Sequence, residues 1–240
     1  MLTSPVLRLL RRKFPSADIR FVTKMQFQGL VSSNPNLNGV FALDNSLNDL
    51  AAEIQDFNPD LILDLHHNLR TRILKTQIGG KWLAFNKLNV EKWLKVNLKI
   101  NRLPEKHIVD RYIEPLHQFG IENDGKGLDF FFDTDFQSPM VPVTLETGFV
   151  VLVVGAKLKT KQLPSYKMIE ICNGLNAPVL LIGGPDDAEI GEEVSKNTDG
   201  TVLNGCGKYS IQESAWFIQQ ATLVITHDTG MMHIAAAFNK

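Results

Sequence analysis

Two runs of alternating strand and helix patterns, separated by a stretch that has neither, predict an α/β protein with two parallel-sheet domains. Three observations carry this expectation. Short runs rich in Val, Ile and Leu, at 61–65, 149–154, 178–182 and 223–225, have the length and composition of strands buried on both faces. The segments between them carry apolar residues at helical spacing. Between 121 and 148, Gly, Asn, Asp, Pro and Thr displace any periodic pattern, and 138–147 reads as a linker. The expected domains are therefore 1–145 and 146–240. Ligands of such sheets bind beyond the carboxyl ends of the strands, so the cleft between two facing domains is where a site is sought.

The elements follow in order. Ser4 is expected to cap a first helix, with Pro5 at its first position, where the missing N–H costs nothing. A strand at 18–23, a helix near 27–32 and a strand at 39–43 come next. Leu47, Leu50, Ala51 and Ile54 then form one stripe of a helix over 46–57. The strand at 61–65, a helix at 69–77, a strand at 81–85 and helices at 90–100 and 107–119 complete the first half. Inside the composition change, 128–132 is read as one more strand. The second half is expected to place strands at 149–154, 178–182, 201–203 and 223–225. Helices are expected at 164–173, 188–196, 211–220 and from Met231 onward.

Charge excludes one class of partner: 25 Lys and Arg balance 26 Asp and Glu, which gives no warrant for nucleic acid. Cys172 and Cys206 lack metal-ligand spacing and read as reduced, packed thiols, consistent with a cytoplasmic protein. The basic residues are unevenly spread. Between 70 and 106 ten Lys and Arg residues stand against Glu91 and Glu105 alone. In the helix within 87–102, Val90, Trp93 and Leu94 share one face and Lys92, Lys95 and Lys99 another. Two readings stand: a basic amphipathic helix on an anionic membrane surface, or a solvated lysine face over a core stripe.

The most informative stretch is 223–238. An apolar strand hands over to a helix through Asp228, Thr229 and Gly230, leaving backbone N–H groups unpaired at the helix start. Those donors and the macrodipole favour a phosphate, and His233, one turn into the helix, reaches the same place. Asp228 as a plain cap and His233 as a packed histidine is the competing interpretation. After the strand at 149–154, Gly155 is followed by Lys157, Lys159 and Lys161 before Pro164, a cationic loop able to offset the charge of a diphosphate, or simply a solvated cluster. Gly183 and Gly184 precede Asp186 and Asp187, at a strand end where a carboxylate can take ribose hydroxyls or cap a turn. Ser210 is placed to cap the next helix.

The string Asp228-Thr-Gly-x-x-His233-x-Ala-Ala resembles the signature of glycosyltransferase family 9, the ADP-heptose:lipopolysaccharide heptosyltransferases. The likeness extends in order along nearly the whole chain. On it, Lys161 with Thr160 beside it takes the role of phosphate ligand and stabiliser of the leaving group. Asp187 matches the family's acidic residue after a Gly pair, with Asp186 and Glu189 as alternatives. Gly207, in a stretch similar to the family's Gly-Lys-Thr segment, faces the base. Asp228, Thr229, Gly230 and His233 complete the donor site. Residues 2–6 resemble the end of the family's opening motif, and Asp64, His66, Asn68 and Arg70 lie in a stretch similar to one bordering the acceptor cleft. The acceptor side therefore takes Thr3, Ser4, Asp64, His66, Asn68 and Arg70. His107, Arg111 and Tyr112 match a helix given a structural role.

The resemblance implies two Rossmann-like domains in the GT-B arrangement and an inverting, metal-independent transfer of heptose from ADP-heptose to a lipopolysaccharide inner core. No cofactor is expected beyond the ADP-sugar substrate. The implied partners are the nucleotide-sugar donor and an anionic lipopolysaccharide-type acceptor, with no nucleic acid. On the membrane reading of the basic helix, and not on the solvated one, 87–102 would contact the inner face of the inner membrane. The family's catalytic base, an Asp of the opening motif, falls before Met1, so no residue is assigned that role. With no strand before the first helix and none after the last, the sequence reads as truncated at both ends. The alternatives are a related transferase using another nucleotide sugar, and a fragment that binds nucleotide without turnover.

Overall fold

The computed structural model describes residues 1–156 and 158–240; Lys157, one of the three loop lysines, lies outside the described residues. The chain forms two compact units, Leu2–Lys126 and Gly127–Lys240, with Met1 grouped with the second. Composition placed the division after 145. In the structure residues 127–145 side with the C-terminal unit, because Phe130, Phe132 and Val141 pack against its core and Leu145 belongs to it.

In the N-terminal unit α1 (Ser4–Lys13) leads to β1 (Arg20–Lys24), a 3-10 helix (Met25–Leu30) and β2 (Gly39–Leu43). There follow α2 (Leu47–Phe57), β3 (Ile62–Asp64), α3 (Leu69–Ile78), β4 (Trp82–Ala84), α4 (Asn89–Asn97) and α5 (Ile108–Ile113). The strands make two separate parallel pairs, β1 with β2 and β3 with β4, where one continuous sheet was expected. One helical layer spans both pairs: Leu50, Ala51 and Ile54 of α2 and Leu74 of α3 bury against Phe41 and Leu43 of β2, Ile62 of β3 and Trp82 of β4. On α1, Arg8 holds Asp124 through two bonds, Nε to Oδ2 at 3.2 Å and Nη2 to Oδ1 at 2.9 Å, tying the helix to the end of its unit.

The structure departs from several local expectations. Ser4 is not the cap of α1 but its first, buried residue; Thr3 precedes it in helical backbone without a capping bond. The helix expected near 27–32 is the 3-10 turn. The helix expected over 107–119 ends at Ile113 and tightens into a 3-10 helix, Glu114–Phe119. Pro115 there lacks the N–H an α-helix needs. Residues 128–132 pair with no strand. Their aromatic rings meet other rings instead, Phe132 stacking on Phe136 at 4.8 Å and Phe130 meeting Phe238 at 5.7 Å. Consecutive Phe residues favour a strand by propensity, but ring packing against the C-terminal core replaces ladder pairing.

The C-terminal unit is a four-stranded parallel sheet in the order β7-β6-β5-β8. Its strands are β5 (Val150–Val153), β6 (Val179–Ile182), β7 (Val202–Asn204) and β8 (Leu223–Ile225). Its helices are α6 (Ser165–Asn173), α7 (Ala188–Lys196), α8 (Ile211–Gln220) and α9 (Gly230–Ala237). Because side chains alternate across a strand, β5 feeds two cores. Val151 and Val153 meet Phe217 and Ile218 of α8 and Ile234 of α9, while Val150 and Leu152 meet Met168 and Cys172 of α6 and Val194 of α7. All four residues of β5 and of β6 are buried, as their unbroken apolar runs predict.

Candidate functional site

That division of helices between faces locates the site. The helix after β5 covers one face of the sheet and the helix after β8 covers the other, although the two strands are neighbours. The connections therefore diverge at their carboxyl ends and open a crevice, the place where open α/β sheets bind ligands. Two loops border it: the one after β5, with the 3-10 turn Lys159–Lys161, and the one from β8 to α9.

Side chains from the two loops meet. Lys161 Nζ donates to Asp228 Oδ2, joining residues 67 positions apart in the chain. This bond, with the charge of the same ammonium and a lesser contribution from His233, holds the Asp228 carboxyl below the usual carboxylate range. Lys161, Asp228 and His233 thus share one neighbourhood, and Thr160 stands exposed in the same turn. Thr229, not Asp228, occupies the cap position of α9, in extended backbone and without a side-chain capping bond. Its Oγ1 is buried and has no hydrogen-bond partner. A Cβ added at Gly230 would meet nothing within 4 Å, so this glycine faces open space at the helix start.

His227, which the sequence did not single out, secures the junction. Its Nε2 accepts the Leu163 N–H at 3.1 Å, fastening the end of the lysine loop to the β8 side of the crevice. Its Nδ1 is buried and has no hydrogen-bond partner. Burial keeps the imidazole pKa below its ordinary value, although the Gly155 backbone and the charge of Asp187 oppose the shift. The only hint in the sequence was its position directly before Asp228. Gln162 adds a second fastening, Nε2 to the Val154 carbonyl at 3.3 Å.

Asp187 lies at the end of β6, where its Oδ2 accepts the Gly184 N–H at 2.8 Å and closes a 3-10 turn, Pro185–Asp187. A glycine at a strand end leaves room beside the backbone for a ligand or for another side chain. The structure fills that space with Asp187: a Cβ on Gly155 would stand 2.0 Å from its Oδ2, and one on Gly183 would stand 2.8 Å from its Cβ. Asp186 and Glu189 are exposed. Gly207 has φ 72° and donates its N–H to the Gly183 carbonyl at 2.9 Å. A Cβ there would lie 2.9 Å from the Pro185 Cα, so the backbone of this turn must be glycine. Cys206 beside it is buried, and loss of water around the thiol, with Asp187 nearby, pushes its pKa up to about 12. Ser210 caps α8 in a reciprocal box with Glu213.

In the N-terminal unit, Asp64 ends β3 and is buried. Its Oδ1 accepts the N–H groups of His66 at 2.9 Å and His67 at 2.7 Å, the strand-end cap. Asn68 caps α3 through Thr71, and Arg70 and His66 are exposed. Thr3 and Ser4 sit at the start of α1. Among the described residues no group of three or more His, Cys, Asp or Glu is arranged to hold a metal ion. No described helix is long and apolar enough to cross a membrane.

The model of a family described as glycosyltransferase family 9 (heptosyltransferase) matches residues 48–240. Lipopolysaccharide heptosyltransferase 3 of Escherichia coli strain K12 is 22% identical over 267 residues, an overlap of 99% of this chain and 76% of that protein. Lipooligosaccharide heptosyltransferase 2 of Haemophilus influenzae is 33% identical over 87 residues, or 33% of this chain and 25% of that protein. Among solved structures, a glycosyl transferase family 9 protein from Veillonella parvula superposes with a TM-score of 0.76 at 21% identity, covering 99% of this chain and 74% of the other. The E. coli heptosyltransferase WaaC with ADP gives 0.70 at 18% identity, covering 100% and 80%. At these identities the structural likeness speaks for the fold, which is that of the GT-B heptosyltransferases.

Proposed function

The chain belongs to glycosyltransferase family 9 and is a glycosyltransferase, and on that premise we propose that it moves a heptose from ADP-heptose to the inner core of a lipopolysaccharide with inversion. The observation that carries this reading is the meeting of Lys161 with Asp228 at the start of α9, beside a glycine that faces open space. A helix start without a side-chain cap offers N–H groups and a positive dipole end to the leaving diphosphate, and Lys161 adds a full charge. Gly230 leaves room for phosphate oxygens to approach the backbone. His233 stands one turn on, within reach of the same anion. Asp187 and the turn at Gly207 are the proposed contacts for the ribose and base. Because Lys161 and the helix start supply the positive charge, the proposed transfer needs no metal, and turnover should persist in EDTA.

On the acceptor side, Thr3, Ser4, His66, Asn68 and Arg70 are the proposed neighbours of an anionic sugar. No residue of this chain is assigned the base. Asp64, the carboxylate at a strand end of that unit, has Oδ1 committed to two N–H groups, and this favours a second reading in which the chain binds nucleotide without turning it over. Calorimetry with ADP tests the donor site: Asp228→Ala and His233→Ala should each weaken binding, and unchanged affinity in both would reject it. A transfer assay with ADP-heptose and a deacylated core acceptor separates the readings. Release of ADP with product favours transfer, and binding without product favours the second.

A further inference from the structure

Among the described α-helices only α4 buries no residue at all. Leu94, half-buried, is turned toward the protein, while Val90, Trp93 and Val96 are 68%, 56% and 66% exposed. Three-residue spacing sets these side chains along one flank of the helix. Lys92 and Lys95 follow on the next flank, outward, with Glu91 the one acid of the helix, and Lys99, in the turn after it, donates its ammonium to the Val96 carbonyl at 3.0 Å. Past the helix, Lys99 takes φ 58°, and the Ile100 N–H returns to the Leu94 carbonyl at 3.2 Å. That turn leaves Leu98 and Ile100 exposed as well, extending the apolar strip. At the other end Lys87 Nζ donates to the carbonyls of His66 and His67, which ties the start of α4 to the start of α3, where Leu69 is also exposed.

An uncovered Val-Trp-Val strip has two kinds of natural cover, another protein surface or a lipid interface. Protein interfaces are depleted of lysine, and here lysines line the whole strip. A helix with Trp and aliphatic residues on one flank and lysines on the next matches one lying in a lipid headgroup layer. There the ring sits at the boundary and the lysine stems reach up to phosphates. We propose that α4 and the turn after it dock this chain on an anionic lipid surface. The inference rests on exposure and charge, and stands whether or not the transfer reading does.

Co-sedimentation with vesicles tests it. The chain should partition onto phosphatidylglycerol–phosphatidylethanolamine vesicles at low salt, and weakly or not at all onto phosphatidylcholine alone, with added salt weakening the partition. Each lysine near such a surface is worth about fivefold in partition, so Lys92→Gln, Lys95→Gln and Lys99→Gln together should lower it about a hundredfold. Trp93→Glu should abolish it and, because the side chain is exposed, leave the melting temperature and ADP affinity as they were. Absence of partition at low salt would overturn the proposal, as would equal partition of the lysine variant. A concentration-dependent dimer dispersed by Trp93→Glu would also overturn it, identifying a second copy as the cover.

Discussion

Lys161 and Asp228 form a pair exposed enough for solvent and salt to weaken it, so its importance lies in position more than stability. It aims an ammonium at the start of α9 before any ligand arrives. Removing that ammonium should cost a charge-assisted contact, about 1.5–3 kcal/mol, or roughly 10- to 150-fold in ADP affinity. Lys161→Ala should therefore weaken ADP binding far more than Lys159→Ala in the same turn; equal losses in calorimetry would mean diffuse charge instead of a ligand. His227 makes a second prediction. Its folded-state pKa is depressed, so the neutral form, which accepts the Leu163 N–H, is the one the fold prefers. Its contribution is complete above the ordinary imidazole value, about 6.5, and is lost as pH falls through the lower folded value. The Leu163 amide should exchange faster as pH drops over that interval, after correction for intrinsic exchange, and His227→Ala should remove the pH dependence.

Among the elements, the turns at the carboxyl ends of the strands differ in what their glycines are for. Gly155 and Gly183 make room for the protein's own Asp187, whereas Gly230 makes room for nothing within the protein. This difference predicts opposite results for one substitution. Gly155→Ala drives a methyl into the Asp187 carboxylate, which cannot retreat without releasing the Gly184 N–H, and should destabilise by about 1–3 kcal/mol. Gly230→Ala, in the first turn of α9, should leave stability unchanged or raise it by up to about 1 kcal/mol. The same methyl would stand where a phosphate approaches the backbone, so ADP affinity should fall. Thermal melts with and without ADP read both effects. A Gly230→Ala variant with intact affinity would remove the helix start from the donor site.

For the whole molecule, each unit carries its own core, so a lesion in one need not reach the other. The Arg8–Asp124 pair is the clearest place to see this. The Asp124 side chain is 7% exposed, and the Arg8 hydrogen bond holds its carboxyl below the usual range. Arg8→Ala would leave that carboxylate with only Arg12 Nη1 at 3.4 Å and the Lys126 N–H at 3.3 Å, and losing the two Arg8 bonds should cost about 1.5–3 kcal/mol. The N-terminal unit should become sensitive to proteolysis while ADP affinity stays unchanged. Since the folded pKa is the lower one, the pair contributes fully above the ordinary carboxylate range and is lost as pH falls through the folded value. Acid should thus destabilise the native chain more steeply than the Arg8→Ala variant, and parallel acid transitions would count against the pair.

Where chemistry is local, the sequence determined the outcome by itself. The buried strands β5 and β6, the Ser210 cap with its Glu213 partner and the strand–turn–helix around Asp228 all depend on residues within a few positions of one another. Spacing or a short motif was enough to read them. It misjudged the start of α1, where Ser4 is drawn into the core, and 128–132, where the Phe rings find other rings instead of a ladder. Tertiary structure alone decided what depends on strand order. Only because β8 lies beside β5, with their following helices on opposite faces, does Lys161 meet Asp228 and does His227 hold the lysine loop. The same long-range packing assigned the space at Gly155 to Asp187 and left the apolar flank of α4 uncovered. Local periodicity reports that a face is apolar; which surface covers it is settled by contacts between residues far apart in the chain.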